Sequence, residues 1–359
     1  MNKRALIAMS GGVDSSVAAA LMCENGYECI GITMKLYNNE DVGVSSEKAC
    51  CTLSDTEDAR SVAYRLGMRY YVLNFTDDFE GQVIRRFITA YEKGETPNPC
   101  IDCNRYMKFD KLYQKASMLG CDTIVTGHYA RVVYDKNLNR WLLKKSLNPA
   151  KDQSYVLYFM TQEQLAHTQF PLGSFSDKEE VRSAARKYNF VNAGKHDSQD
   201  ICFVPNGNYS DFIEQYTEKK YAEGNFVDTE GKILGTHKGM IRYTIGQRKG
   251  LALSLPSPMY VCRKCPEDNT VVLSDETNLY SNELTAGDFN WIAFEKPETP
   301  IHVTAKTRYH AKEAAAVATV QKDGTVKISF EQPQRAITKG QAVVLYDGDT
   351  VVGGGTIIA

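Results

Sequence analysis

The chain has 359 residues, of which 43% are hydrophobic and 24% charged, so two or three domains can each bury a core. A formal net charge of −2 excludes a surface that is basic throughout, which is expected of proteins that bind nucleic acid through charge alone. No apolar stretch is long enough for a membrane span, so we expect no membrane partner.

The first part of the chain alternates between short apolar strands and amphipathic helices. The predicted strands are residues 4–9, 27–34, 68–75 and 121–130, and the predicted helices are residues 13–26, 54–67, 77–94 and 104–120. Ser54 or Asp55 is the predicted N-cap of the second helix, and Gly67 is its predicted end. This alternation is typical of a parallel sheet with helices on both faces, in which ligands bind at the carboxyl ends of the strands.

The second part of the chain loses this pattern. Residues 131 to about 200 form a mixed extension with a helix at 176–189, for which Ser176 and Glu179 predict a capping box. After Tyr209, short strands and frequent Gly, Asp and Asn turns predict one or two small β-barrels, with residues 287–291 at their join.

Cysteine usage and the N-terminus both indicate a cytoplasmic protein. The basic N-terminus is followed by only a short apolar run, which Gly11 and Gly12 interrupt, so we expect no signal peptide. Ten cysteines in such a chain predict reduced thiols rather than a disulfide framework.

One local stretch is strongly basic. Seven Lys and Arg residues and no Asp or Glu lie between Gly231 and Pro266. Charge alone leaves two interpretations open, a solvated basic face and a surface that contacts RNA.

The motif SGGVDSS, residues 10–16, falls between the first predicted strand and helix. Its glycines allow a tight turn and a close ligand, and its hydroxyls and the helix amides can donate to an anion. The spacing matches neither GxxxxGK[ST] nor GxGxxG. We therefore predict a phosphate-binding turn of another type.

A second motif, TPNPCIDCN at residues 96–104, places Cys100 and Cys103 three residues apart on a proline-stiffened loop. The residues alone are compatible with a metal site, a redox pair, two sulfur-transferring thiols, or two thiols without a function.

The first of these motifs resembles the pyrophosphate loop of ATP pyrophosphatases, which adenylylate an oxygen atom and release pyrophosphate. Further motifs follow in order: TPNPCIDCN, TGHYARV, KDQSYVL, DSQDICFV, YTIGQRKGL and TRYH. Together they are similar to bacterial tRNA-specific 2-thiouridylases, from Met9 to about Gln341, and favour RNA contact by the basic stretch. The implied activity is ATP-dependent thiolation of the wobble uridine in tRNA, with an adenylylated uridine intermediate.

The resemblance also implies an architecture. It is an α/β fold in which an ATP-pyrophosphatase domain, like the adenine nucleotide α hydrolases, is followed by a small β-rich central domain and a C-terminal β-barrel. We place these units at residues 1–208, 209–284 and 285–359.

The resemblance implies contacts with ATP and with tRNA. The expected ATP contacts are Ala8, Met9, Ser10, Gly11, Gly12, Val13, Asp14, Ser15, Met34 and Gly127, with Asp14 as a possible Mg²⁺ ligand. The expected tRNA contacts are Asn98, Pro99, Cys100, His128, Lys151, Asp152, Gln153, Arg308, Tyr309 and Gln341. Basic side chains with aromatic ones suit RNA that has an extruded base.

Two cysteines match the family's sulfur-transfer residues. Cys202 matches the cysteine that carries a persulfide, and Cys103 matches the nucleophile that breaks the remaining sulfur–sulfur bond. The implied partners are tRNA and a sulfur donor, such as a cysteine desulfurase or a sulfur-relay carrier.

Cys100 departs from the family pattern, because many relatives carry Asp at this position. One interpretation makes Cys100 an auxiliary or inactive thiol. The other makes Cys100, Cys103 and Cys202 the ligands of an iron–sulfur cluster that delivers sulfide.

Two rival functions also stay open. One is an ATP pyrophosphatase that acts on a different acceptor, which would not need the cysteine pair. The other is an RNA-binding or metal-binding module without catalysis, which would leave SGGVDSS unexplained.

Overall fold

The computed structural model describes residues 3–38, 53–195, 201–204 and 207–359. Among these residues, no helix combines the length and the apolar character needed to cross a bilayer. The strands in chain order are β1 (Arg4–Ala8), β2 (Glu28–Lys35), β3 (Arg69–Asn74), β4 (Thr123–Val125), β5 (Ala130–Asp135), β6 (Arg140–Lys145), β7 (Thr168–Gln169), β8 (Gly224–Val227), β9 (Ile233–His237), β10 (Tyr260–Cys265), β11 (Thr270–Ser274), β12 (Tyr280–Trp291), β13 (Ile301–Lys306), β14 (Ala314–Val320), β15 (Val326–Arg335), β16 (Ala342–Asp347) and β17 (Thr350–Ile357).

The helices lie mainly between the first seven of these strands. In chain order they are α1 (Val13–Glu24), α2 (Leu53–Arg65), α3 (Thr76–Phe79), α4 (Arg85–Glu92), α5 (Pro99–Asp102), α6 (Leu112–Met118), α7 (Gln162–Ala166), α8 (Lys178–Lys187) and α9 (Tyr209–Thr217). Two π-helical segments, Glu80–Ile84 and Cys103–Lys111, join α3 to α4 and α5 to α6. The predicted helices at 77–94 and 104–120 are therefore interrupted by wider turns.

The N-terminal sheet has the strand order β3-β2-β1-β4-β7, and its pairings are parallel. The chain moves from β1 toward β3 on one side and then returns to place β4 on the other side. The carboxyl ends of β1 and β4 therefore flank the switch point at which ligands bind in such sheets. The predicted parallel sheet is confirmed, and it brings SGGVDSS beside TGHYARV.

Two predicted helix caps are wrong. Ser54 and Asp55 lie inside α2, so neither residue precedes the helix as a cap. Helix α8 is capped by Asp177, whose carboxylate accepts a 3.1 Å hydrogen bond from the Glu179 amide. The Ser176 hydroxyl instead donates to the Glu180 carboxylate, so the predicted capping box is not formed.

The remaining strands form two β units. Strands β10-β11-β8-β9 make a central four-stranded sheet around the buried Phe226 and Val261. Strands β12 to β17 close into a barrel, because β12 pairs with both β15 and β17. The predicted β-rich second half is confirmed, but the predicted join at residues 287–291 lies inside β12.

A hairpin from the first half of the chain extends the barrel sheet. Strand β6 pairs with β17, and β5 pairs with β6 on the outer side. Asp349 beside β17 binds Arg131 at 2.7 Å and Lys144 at 3.0 Å, which neutralises charge at this junction. The N-terminal part of the chain and the barrel therefore share a continuous sheet, which the local sequence pattern did not predict.

Candidate functional site

The turn after β1 is shaped by Gly11 and Gly12. Gly11 has a φ of +76°, and a Cβ atom there would lie 2.3 Å from the Asp55 carbonyl oxygen. Gly12 precedes α1 in an extended conformation, and no side chain caps the first turn of that helix. The Ser15 and Ser16 hydroxyls both donate to the Gly12 carbonyl at 3.0 Å, which stabilises the turn. The start of α1 therefore presents amide groups to the switch point.

Gly127 packs directly on the first turn of α1. A Cβ atom there would lie 2.8 Å from the Ser15 amide nitrogen and 2.9 Å from the Asp14 carbonyl carbon. Gly127 therefore brings the end of β4 against the glycine-rich turn, and its contact with ATP stays a prediction. Any larger side chain would push the two parts of the switch point apart.

Asn192 fixes the same turn from the opposite side. Its Nδ2 atom donates to the Gly11 carbonyl at 2.8 Å and lies 2.9 Å from the Ser16 hydroxyl oxygen. The Asn192 side chain is buried, and its Oδ1 atom has no hydrogen-bond partner among the described residues. Asn192 was not predicted from the sequence, because it lies far along the chain from the glycine-rich turn.

Asp14 is held by two side chains that were also not predicted. Lys178 at the start of α8 donates to both Asp14 carboxylate oxygens, at 2.6 and 2.8 Å. The Tyr129 hydroxyl donates to the same carboxylate at 2.7 Å. A metal ion at Asp14 would have to compete with this ammonium group. In the described ranges, no three His, Cys, Asp or Glu residues are grouped as metal ligands.

Met34 and Met9 lie near the carboxyl ends of the first two strands. Met34 is buried against the hydrophobic cluster that includes Leu36 and Tyr37, and Met9 is buried in a second cluster beside α1. Ala8, the last residue of β1, packs against the first cluster. Apolar surfaces therefore border the glycine-rich turn on both sides of β1.

The segment with the paired cysteines begins a helix rather than a loop. The Asn98 side chain caps α5 by accepting from the Cys100 amide at 3.1 Å, and Pro99 occupies the first helical turn. Cys100 is exposed, whereas Cys103 is half-buried at the start of the π-helical segment. The predicted proline-stiffened loop is therefore a capped helix start, which holds the two cysteines one turn apart.

The central sheet and the barrel both form hydrogen bonds with the residues that precede the cysteine helix. The Thr96 amide donates to the Lys339 carbonyl at 2.9 Å, and Gln341 Nε2 donates to the Thr96 carbonyl at 2.6 Å. Lys264 of the central sheet donates to the carbonyl of Tyr243 at 3.0 Å and that of Glu95 at 3.4 Å. The position of the cysteine helix thus depends on contacts with both β units.

Cys202 and Cys103 pack against the same hydrophobic cluster. The Tyr37 hydroxyl donates to the Cys202 carbonyl at 2.7 Å, and Phe203 packs on the rings of Phe79 and Phe87. Cys103 is a free thiol. Although the two residues are far apart in the sequence, the fold directs both to the apolar interior between the sheet and the cysteine helix.

The Cys103 thiol is protonated at neutral pH in this arrangement. Burial raises the pKa of Cys103 to about 11, and the nearby Cys100 and Asp102 also raise it. Lys108 acts in the opposite direction. The thiol therefore needs further stabilisation of its anion before it can act as a nucleophile at neutral pH.

The structure does not bring together the three cysteines of the iron–sulfur alternative. Among the residues that the structure describes, Cys100, Cys103 and Cys202 are not grouped as metal ligands. Cys100 is exposed and Cys103 packs into the apolar cluster, where burial raises its pKa.

His128 is a buried core residue. Its Nδ1 atom lies 2.6 Å from the Thr126 hydroxyl, and its ring packs between those of Phe109 and Phe170. Burial lowers the pKa of His128 well below its usual range, and Lys108 lowers it further. The imidazole is neutral at pH 7, so it does not supply a positive charge for an RNA phosphate.

Several other residues that are predicted to contact tRNA form hydrogen bonds between segments of the protein. The Asp152 carboxylate accepts from the Ser154 hydroxyl at 2.8 Å, and the Tyr309 hydroxyl donates to the Asp152 carbonyl at 3.2 Å. Gln153 and Tyr129 exchange two hydrogen bonds of 2.9 and 3.0 Å. These contacts link KDQSYVL and the barrel to TGHYARV. Contact of these residues with tRNA stays a prediction.

Arg308 lies beside a cavity of about 500 Å³ between the three units. Its Nη2 atom donates to the Ala336 carbonyl at 2.8 Å and the Thr338 hydroxyl at 2.6 Å. Arg242 and Arg335 also line this cavity. Three guanidinium groups therefore line this cavity.

The basic stretch divides into structural and exposed members. Arg242 binds Asp211 at 2.9 Å and Glu214 at 2.7 Å, and Lys264 is packed against Tyr91. The exposed members are Lys232, Lys238, Arg248, Lys249 and Arg263. Only these five side chains can offer their charge freely to an external partner.

A parallel sheet with a glycine-rich turn at its switch point, followed by two β units, defines the class of protein: a nucleotide-binding α/β domain with appended β domains. Family models support each unit. The tRNA methyl transferase HUP domain matches residues 3–206, the tRNA methyl transferase PRC-barrel domain matches residues 210–275, and the aminomethyltransferase beta-barrel domain matches residues 281–357.

Comparison with similar proteins identifies the family to which this chain belongs. A tRNA-specific 2-thiouridylase MnmA of Acetivibrio thermocellus is 55% identical over 356 residues, or 99% of each chain. The protein of that name from Clostridioides difficile is 51% identical over 357 residues, or 99% of this chain and 98% of that one. The chain therefore belongs to the tRNA-specific 2-thiouridylases. A solved 4-thiouridine synthetase bound to RNA and ATP gives a TM-score of 0.36 at 17% identity, over 60% of this chain and 50% of that chain.

Proposed function

We infer that this chain is an ATP-dependent tRNA 2-thiouridylase, a sulfurtransferase that replaces the 2-position oxygen of the wobble uridine with sulfur. Full-length identity of 55% to a tRNA-specific 2-thiouridylase carries this inference. The arrangement of the site supports it, because the glycine-rich turn and the two thiols lie on parts of one domain that the β units hold together. The expected location is the cytoplasm.

ATP is proposed to bind at the switch point, with its phosphates on the first turn of α1. The amides and hydroxyls from Ser10 to Ser15 would donate to the phosphate oxygens, as helix N-termini do for anions. Met34 and Gly127 would border the nucleotide. Mg²⁺ is proposed to enter as the counter-ion of the ATP phosphates, because Asp14 is bound by Lys178 in this structure.

The first chemical step activates the uridine. The 2-position oxygen attacks the α-phosphorus of ATP, the bond to the β-phosphate oxygen breaks, and pyrophosphate leaves. The uridine then carries AMP on that oxygen, which turns a poor leaving group into a good one. Donors at the α1 N-terminus stabilise the negative charge that develops on the pyrophosphate.

The second step transfers sulfur. Cys202 is proposed to receive a sulfur atom as a persulfide from an external donor, such as a cysteine desulfurase or relay carrier. The terminal sulfur, as its anion, attacks the activated carbon and AMP leaves. The Cys103 thiolate then attacks the sulfur of Cys202, which forms a disulfide and releases the electron pair to the transferred sulfur. An external dithiol reductant restores both thiols.

The tRNA is proposed to lie across the catalytic domain and both β units. The residues proposed to contact it are Asn98, Pro99, Cys100, His128, Lys151, Asp152, Gln153, Arg308, Tyr309 and Gln341. Because several of these side chains also join the units, tRNA binding would be sensed at the cysteine helix. The exposed basic side chains of the central unit would contribute contacts with phosphates.

Separate assays of the two steps test this function. We expect Cys103→Ser and Cys202→Ser to keep tRNA-dependent pyrophosphate release from ATP, because neither thiol takes part in adenylylation. Both variants should lose formation of 2-thiouridine, measured by nucleoside mass spectrometry. Cys262→Ser is the matched control, since its thiol lies on β10 of the central sheet. Normal thiolation by either cysteine variant would contradict the proposed sulfur route.

A further inference from the structure

The π-helical segment Cys103–Lys111 places Lys108 beside the sulfur-transfer residue. In a π-helix, the amide of residue i+5 bonds the carbonyl of residue i, and the Leu112 amide donates to the Met107 carbonyl in this pattern. Residues five apart, such as Cys103 and Lys108, are therefore neighbours on one face. An α-helix would rotate Lys108 further round the axis.

Lys108 differs from the cations around it. Arg105 binds Asp288 at 2.6 Å, Lys111 binds Asp78 at 2.8 Å, and each is thus neutralised. In the parts of the chain that the structure describes, Lys108 forms no ion pair, although its side chain is only half-exposed. A half-buried ammonium group without a carboxylate partner is available to stabilise another anion.

The Lys108 ammonium group acts electrostatically on two nearby side chains. Lys108 lowers the pKa of Cys103 and also lowers that of His128. The neighbouring Phe109 packs on the His128 ring with 6.1 Å between centroids, so the same turn of the helix faces the end of β4. Lys108 therefore lies on the turn of the π-helical segment next to Phe109, which faces the end of β4.

We propose that Lys108 stabilises the thiolate of Cys103 when Cys103 attacks the disulfide-like bond between Cys202 and the transferred sulfur. This role rests on the proposed function. The Cys103 proton leaves to bulk water, the resulting thiolate forms the bond to Cys202, and the electron pair of the broken bond stays on the sulfur of 2-thiouridine. The Lys108 ammonium group provides a positive charge beside this thiolate and takes no part in bond making or breaking.

The other charged groups near Cys103 cannot replace Lys108. Asp102 and Cys100 disfavour the thiolate, and Arg86 forms an ion pair of 3.6 Å with the Asp102 carboxylate. His128 is neutral because it is buried. Of these groups, Lys108 alone favours the anion that sulfur transfer needs.

The test measures Cys103 reactivity in the full-length protein. Lys108→Gln removes the charge, Lys108→Arg keeps it, and Lys115→Gln removes an exposed charge from α6 as a matched control. Alkylation of Cys103 by iodoacetamide is followed by peptide mass spectrometry between pH 8 and pH 11. We expect Lys108→Gln to raise the alkylation midpoint by about one pH unit, which lowers the rate at pH 9 by about tenfold.

Lys108→Arg should restore the midpoint and Lys115→Gln should leave it unchanged. In single-turnover assays, Lys108→Gln should slow sulfur transfer to tRNA by a similar factor while pyrophosphate release stays at the normal rate. An unchanged alkylation profile overturns the proposal. A fall in pyrophosphate release with an unchanged profile would instead assign Lys108 to phosphate binding.

The alkylation result does not depend on the proposed function. If the unmodified protein released pyrophosphate but transferred no sulfur to tRNA, the proposed function would fail. The effect of Lys108 on Cys103 would still be decided by the alkylation profiles of the three variants.

Discussion

Gln341 of the C-terminal barrel donates a 2.6 Å hydrogen bond to the carbonyl oxygen of Thr96, which precedes the cap of the cysteine helix. The Thr96 amide in turn donates to the Lys339 carbonyl. The barrel therefore forms hydrogen bonds with both the amide and the carbonyl group of Thr96. A movement of the barrel would therefore shift the cysteine helix through this connection.

Loss of this connection should loosen the cysteine segment. We expect Gln341→Ala to lower the free energy of unfolding by about 1 kcal/mol, the typical value of one hydrogen bond. Amide hydrogen exchange at residues 96–104 should become faster, as measured by mass spectrometry. Gln332→Ala, an exposed barrel glutamine, is the control. Equal exchange rates in the two variants would show that the bond does not restrain the segment.

Gly127→Ala should distort the ATP site. The new methyl group would lie 2.8 Å from the Ser15 amide nitrogen, closer than non-bonded atoms tolerate. We expect a loss of about 1–3 kcal/mol in unfolding free energy and a large decrease in pyrophosphate release. Gly81→Ala, which places its methyl group in open space, should leave both quantities nearly unchanged. A fully active Gly127→Ala variant would refute the tight packing on α1.

Lys178→Met should destabilise the start of α1. The change leaves the half-buried Asp14 carboxylate with the Tyr129 hydroxyl but without its ammonium partner. We expect a loss of about 1–3 kcal/mol in unfolding free energy, measured by urea denaturation. The control is Lys187→Met on the exposed face of the same helix. If both variants unfold at the same urea concentration as the unmodified protein, the ion pair makes no net contribution.

Lys264 should give the protein a distinct pH dependence in alkaline solution. Burial lowers the pKa of Lys264 from its usual 10.5 to about 8, so the unfolded chain binds this proton more strongly than the folded one. Burying the charge costs free energy below pH 8, and this cost disappears as the pH rises from about 8 to 10.5.

The variant Lys264→Met removes this titration. Relative to the variant, the unmodified protein should gain about 1.4 kcal/mol of stability per pH unit across that window. Denaturation of both proteins at pH 8 and pH 9.5 measures the change. Lys238→Met, an exposed lysine of the central unit, should show no such gain over this range. A constant difference between the unmodified protein and Lys264→Met at both pH values would contradict the burial of Lys264 as the cause.

Much of the catalytic domain could be predicted from local patterns. Apolar runs of strand length, helical periodicity and the glycines of residues 10–16 are short-range signals, and they correctly placed β1, α1 and the parallel sheet. Helix caps were predicted less well. The N-cap of α8 is Asp177 rather than the adjacent Ser176. Which of the two residues caps the helix depends on a one-residue difference in backbone conformation.

The sequence by itself determined the alternation of strands and helices, the glycine-rich turn and the cysteine motifs, because each depends on residues that are close along the chain. Only the tertiary structure decided how these parts meet. Asn192 reaches Gly11 across 181 positions, and Gln341 reaches Thr96 across 245. The π-helical turn that aligns Lys108 with Cys103 is equally invisible in a periodicity of 3.6 residues. Such contacts arise from packing between distant segments, and packing is a property of the whole fold.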